Sequence, residues 1–216
     1  LSNPKKPFLT ILGGAKISDK INVIENLISK ESNQVEAILI GGGMAFTFIK
    51  ALGGEIGESI YEKDKINMAK NILELAKRKN IRIILPEDCA VEEEKQHKSI
   101  HNSFCIPKGA KALDIGPKTI EKFCQEINSA KTILWNGPLG VFERDEFALG
   151  SIQIAHQLAS VTSNGTTTIV GGGDTVAAVT KASVFNKLSH ISTGGGATLE
   201  FLEGKELPGI KALTNK

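Results

Sequence analysis

The sequence predicts an open, doubly wound α/β domain, three layers deep (α/β/α), with helices on both faces of a mainly parallel sheet of about six strands. Three observations predict it. Six short apolar runs rich in β-branched residues recur along the 216 residues, nearly all of them continuously apolar rather than alternating, as strands covered on both faces are. Stretches with helical spacing lie between them, and strand, helix, strand in repetition means parallel pairing by right-handed crossovers. The number of such units is too small to close a barrel.

In chain order, the first strand is "FLTIL", Phe8 to Leu12, which runs into "GGAKISDK" and a helix. "AILI", Ala37 to Ile40, is the second and also ends on glycines. Within "KDKINMAKNILELAKRKN", Ile66, Ala69, Ile72, Leu73 and Ala76 share one helical face. "IRIIL", from Ile81, is the third strand. Pro86 to Gly116 is polar and too long for an ordinary crossover, so short extra strands or a flap are expected there. "TILW", from Thr132, is the fourth strand, and Phe147, Ile154, Leu158 and Val161 mark the helix that follows it. "TTTIV" and "SHIST" complete the set.

Composition narrows the function. With 26 basic and 24 acidic residues the net charge is +2, and no long single-sign block stands out, so neither nucleic acid nor a membrane surface is indicated. No apolar stretch approaches the roughly 20 residues needed to span a bilayer. Cys89, Cys105 and Cys124 are odd in number and lack zinc or disulfide spacing, which fits a reducing cytoplasm. A single domain over residues 1–216, monomeric and acting on small molecules, is the expectation. The missing initial methionine suggests a piece of a longer protein.

One local device repeats: "TILGGAK", "LIGGGMAF", "IVGGGDTV" and "STGGGATL" each follow an apolar strand and open a helix. Glycine there admits positive φ and a close ligand, while free amides and the helix dipole attract anions. Parallel strands point the same way, so the four turns should gather on one rim, at the edge where open α/β sheets bind ligands. The Walker pattern is absent, and in the three triple-glycine turns Phe46, Val176 and Leu199 stand where GxGxxG requires its last glycine. Lys16 and Lys20 read alone as solvated charges. With Ser18 as helix cap, however, Lys20 falls in a first turn whose dipole disfavours a cation unless a phosphate is bound. Asp174 reads either as an ordinary first-turn acid or as a carboxylate for Mg²⁺ on phosphates, with Thr175 adding a hydroxyl.

Taken together, "PFLTILGGAKISDKI", "IGGGMAFTF", "ALDIGPKT", "ILWNGPLGVFE", "IVGGGDT" and "STGGGATLEFLEGKELPG" resemble, in order, the nucleotide-binding, C-terminal half of phosphoglycerate kinases. The resemblance covers essentially the whole chain and implies a Rossmann-like fold. It implies reversible phosphoryl transfer between 1,3-bisphosphoglycerate and ADP, giving 3-phosphoglycerate and MgATP in glycolysis. On this resemblance Lys16 follows the moving phosphoryl group and Lys20 contacts the nucleotide phosphates. Gly14 and Ala15 flank the triphosphate, Gly41 and Gly42 pack near the adenine, and Leu113 forms its apolar wall. Asn136 reaches the phosphates, Pro138 and Val141 line the nucleoside cleft, and Glu143 bonds the ribose. Asp174 holds Mg²⁺ among Gly172, Gly173 and Thr175, while Gly194, Gly195 and Gly196 offer amides to the transferring group. Lys16, Gly172 and Gly195 are thus the catalytic set. Ala112, where some members carry glycine, is the visible departure.

The family's phosphoglycerate site lies on an arginine-rich N-terminal domain. Here only Arg78, Arg82 and Arg144 occur, so the chain is expected to bind ADP or ATP with little or no turnover alone. A non-catalytic nucleotide module or an NAD-dependent dehydrogenase domain is the competing reading. The incomplete GxGxxG speaks against the latter.

Overall fold

The computed structural model describes residues 4–29, 35–93, 97–194, 200 and 205. Its elements begin with strand β1 (Phe8–Leu12), helix α1 (Ile21–Ser29), β2 (Ala37–Ile40), α2 (Ala45–Ala51) and the short β3 (Glu55–Ile56). Helix α3 (Ile66–Arg78) leads into β4 (Arg82–Ile84). The long segment then forms β5 (Asp88–Glu92), β6 (Lys98–Asn102), β7 (Cys105–Ile106) and β8 (Lys111–Ile115). Helix α4 (Pro117–Ser129), β9 (Thr132–Asn136), α5 (Leu149–Ser163), β10 (Thr167–Gly171), α6 (Gly173–Lys181) and β11 (His190–Ser192) complete the order.

All six strands read from the sequence join one sheet in the order β11-β10-β9-β1-β2-β4, each neighbouring pair parallel. The chain winds outward from β1 in one direction and then, through β9, in the other. β1 and β9 therefore flank the switch point, where a crevice opens beyond the carboxyl ends. Side-chain alternation builds the three layers. Phe8, Leu12, Ile38 and Ile40 pack against α1, α2 and α3, while Leu9, Ile11, Leu39, Ile133 and Trp135 pack against α4, α5 and α6. In α3 the predicted stripe is the buried one, with Ala69, Ile72 and Ala76 inside.

The segment after Pro86 resolves the expectation of extra strands. β5 pairs antiparallel with β6 and β8, and β7 pairs with β3. Together these two small sheets form a unit with its own core of Ile56, Cys89, Val91, Ile106 and Ala112, joined by Phe46 and Ile49 from α2. It stands beside the crevice because β8 feeds straight into α4 on the main domain. The Asp88 carboxylate fixes that junction by accepting from Lys118 and Thr119 main-chain N–H at 3.1 and 2.8 Å. No helix among the described residues is long and apolar enough to cross a membrane.

Two sequence readings need correction. Ser18 does not cap α1: its N–H donates to Glu62 Oε2 at 2.9 Å, and the helix begins three residues later, at Ile21. Lys20 consequently sits at the cap position, its carbonyl accepting the first helical bond from Ile24 N–H. The other concerns the cysteines, residues expected in or near the core: Cys89 is buried and Cys124 half-buried, but Cys105 is exposed. The reason is strand alternation at the short β7, which turns Ile106 inward and its neighbour out.

A cavity where four strand ends meet

Short main-chain bonds stitch the turns at the crevice together. Gly13 N–H donates to Asn136 O at 3.0 Å, Gly14 N–H to Pro138 O at 2.9 Å, and Gly42 N–H to Leu139 O at 3.1 Å. Gly137 N–H donates to the Thr175 hydroxyl at 2.7 Å. Gly137 explains why a side chain is not tolerated at the centre. Its φ is +97°, and a Cβ there would stand 2.2 Å from Gly13 O. The loop after β9, which carries "WNGPLG", is therefore the hub that ties the turns after β1, β2 and β10.

Between these turns and the small sheet lies a cavity of about 440 Å³, a size that suits a small-molecule ligand. The turns contribute Gly14, Ala15, Gly42, Gly43, Pro138, Gly140, Val141, Glu143 and Asp174. The opposite wall is mostly apolar: Phe46, Ile60, Pro86, Cys89, Ala112, Leu113 and Ile115. Three carboxylates, Asp114, Glu143 and Asp174, border it.

Eight of the residues singled out from the sequence thus meet on one cavity: Gly14, Ala15, Gly42, Leu113, Pro138, Val141, Glu143 and Asp174. Lys16 is exposed in the loop beside Ala15. Lys20 is buried, and its ammonium donates to Asn136 Oδ1. Burial pulls its pKa below the ordinary lysine value, against the raising influence of Asp19 and Asp174. Asn136 is buried too. Its amide nitrogen donates to Gly171 O at 2.9 Å, so both ends of its side chain are engaged and it serves to hold Lys20.

Gly41 lies off the cavity wall, its missing Cβ taken up by Leu139 at 2.5 Å. Gly172 is the cap of α6 with φ +96°, and Gly173 opens the helix with nothing within 4 Å of where a Cβ would stand. Thr175 is buried, and its oxygen is the acceptor for Gly137. Its place is beneath the turn rather than on the cavity surface. Gly194 is exposed, while Gly195 and Gly196 lie outside the described residues.

Residue-by-residue reading missed Asp114, Cys89, Pro86 and Ile60. Asp114 had a signal in "ALDIGP", an acid inside an apolar strand, because carboxylates are seldom buried without a task. Ile60 and Pro86 had none, being distant in sequence from every glycine turn. Among the described residues no group of three or more His, Cys, Asp or Glu side chains could hold a metal ion. Asp174 instead offers a lone carboxylate at an open helix start.

The model of the phosphoglycerate kinase family matches residues 1–205. A phosphoglycerate kinase of Koribacter versatilis is 55% identical over the whole chain, which covers 53% of that protein. A cytosolic one of Triticum aestivum is 50% identical over 99% of the chain and 53% of its own length. Among solved structures, the phosphoglycerate kinase from Coxiella burnetii superposes with a TM-score of 0.90 at 41% identity, over 98% of this chain and 53% of that one. That from Pyrococcus horikoshii gives 0.82 at 32%, over 97% and 52%. The chain spans about half the length of the relatives it matches.

Proposed function

Because the chain belongs to the phosphoglycerate kinase family, we propose that residues 1–216 form the nucleotide-binding half of such an enzyme. They bind MgADP or MgATP for reversible phosphoryl transfer between 1,3-bisphosphoglycerate and ADP, in glycolysis and in the cytoplasm. The observation that carries this reading is the cavity at the switch point, with glycine turns on one wall and an apolar slot on the other. The slot suits a purine. Leu113, Pro138 and Val141 flank it, and Glu143 at its border suits a ribose hydroxyl.

The phosphates belong over the glycine turns, where amides and the start of α6 favour anions. Lys20, already tied to Asn136 and close enough to Asp174 to feel its charge, faces that end, and Lys16 follows Ala15 of the cavity lining. Asp174 fits Mg²⁺, an ion that takes one or two carboxylates and completes its shell with water and phosphate oxygens. Bound there, the ion neutralises phosphate charge. Phosphoryl transfer asks a protein chiefly for such positioning and charge stabilisation, so no nucleophilic side chain is required. Lys16, Gly172 and Gly195 are assigned to the transferring group.

The phosphoglycerate site is assigned to the other half of the family's proteins, since the chain covers about half of its relatives. Alone, these residues bind nucleotide with little or no turnover, because one reactant is not held in place.

Calorimetric titration with MgADP, MgATP and NAD tests the reading, with Asp174→Ala as control. Both magnesium nucleotides should bind, NAD should not, and the variant should lose the magnesium-dependent part of the affinity. Binding of NAD alone would replace the proposal with a dehydrogenase module.

A further inference from the structure

We propose that Asp114 is a positioning residue for the nucleoside end of the cavity: its carboxyl, wedged between Gly140 and Gly150, fixes the 139–141 loop that forms one cavity wall. The inference rests on reading the cavity as a nucleotide site. Asp114 is buried on β8, at the cavity border. Oδ2 accepts from Gly150 N–H at 2.8 Å, in the first turn of α5, and Oδ1 from Ile115 N–H at 2.9 Å. A Cβ at Gly140 would stand 2.2 Å from Asp114 Oδ1, and one at Gly150 2.3 Å from the same atom. The carboxyl thus occupies the space that both glycines leave free.

The loop it supports is held at each end by bonds to the same two elements. Leu139 N–H donates to Ser151 Oγ on α5 at 2.9 Å, and Val141 N–H to Leu113 O on β8 at 2.7 Å. Leu139, Gly140 and Val141 all line the cavity. The Asp114 carboxylate therefore joins the strand that carries Leu113 to the helix start that carries Ser151. If that junction slackens, the wall samples open arrangements, and apparent affinity falls by the fraction of time it is not formed.

The test is Asp114→Asn at pH 8. The amide keeps the shape but presents NH₂ to one of the two N–H donors. Binding of MgADP, adenosine and magnesium pyrophosphate is measured on the folded variant and the unaltered protein. Affinity for MgADP and for adenosine should fall by the same factor, about tenfold for one lost charge-assisted bond, while pyrophosphate is unaffected. Ser151→Ala, which frees the other end of the loop, should give the same split and serves if the first variant does not fold. Unchanged adenosine affinity, or an equal loss for pyrophosphate, would overturn the role. Absence of MgADP binding by the unaltered protein would instead overturn the nucleotide reading on which it rests.

Discussion

Replacing Lys20 by methionine tests the core of the proposed site, because the stem is kept and only the ammonium is removed. In the unliganded protein that ammonium is buried, donates to Asn136 Oδ1 and lies within electrostatic reach of Asp174. Burial depresses its pKa, so the charge is held at a cost. Two consequences for stability oppose each other. Removing the charge relieves desolvation, but Asn136 Oδ1 then loses a donor in a buried place, at about 1–3 kcal/mol. Melting temperature should accordingly change little.

Nucleotide affinity should change a great deal. A phosphate placed at the glycine turns would lose one charge-assisted bond, about 1.5–3 kcal/mol, or about 10- to 150-fold in Kd. The sign of the pH dependence follows from the depressed pKa. Between that lowered value and the ordinary lysine value, the folded protein binds fewer protons than the unfolded chain, so Lys20 makes stability rise with pH across that window. A phosphate raises the pKa again, so MgADP binding should take up a proton there, and Lys20→Met should abolish the uptake. Calorimetry in two buffers of different ionisation enthalpy reads both. An unaltered Kd with the proton uptake intact would refute the assignment of Lys20 to the phosphates.

Lys16→Ala should lower turnover about a hundredfold or more in an enzyme joined to a phosphoglycerate-binding half, as loss of one preorganised donor does. Steady-state assays check it, with kcat expected to fall more than nucleotide KM rises. Gly137→Ala forces a side chain to φ +97° against Gly13 O and should destabilise by about 1–3 kcal/mol or more, read as a lower midpoint in urea. For Asp114, burial pushes the carboxyl up to about 7. Its neutral form is favoured on folding, so its stability contribution is complete below the ordinary aspartate range and is lost as pH rises through about 7. Thermal scans should therefore show Asp114→Asn gaining on the unaltered protein between pH 5 and 8. A gap constant with pH would contradict the buried carboxyl.

The sheet was legible because each of its strands carries a local signature. "FLTIL" or "TILW" is apolar on both sides of the pleat, and only a strand covered by helices on both faces makes such a run stable. The glycine turns were legible for the same kind of reason, since "GGG" at a strand end leaves few alternatives. Asn136 shows the limit. "WNGP" marks a turn, but that its amide would be spent on Lys20 and Gly171 depends on residues more than thirty positions away on either side. Thr175 is similar: its neighbour Asp174 borders the cavity, while one helical step turns the threonine beneath the loop of Gly137.

The sequence by itself determined the six strands of the main sheet, their parallel pairing, the turns that end on glycine and the family, because these depend on periodicity and on motifs a few residues long. Only the tertiary structure decided which of those turns touch, that the small sheet after Pro86 closes the slot, and that Asp114 sits between two glycines. These depend on main-chain atoms brought within bonding distance across tens of residues, and packing at that scale leaves no local pattern in the chain.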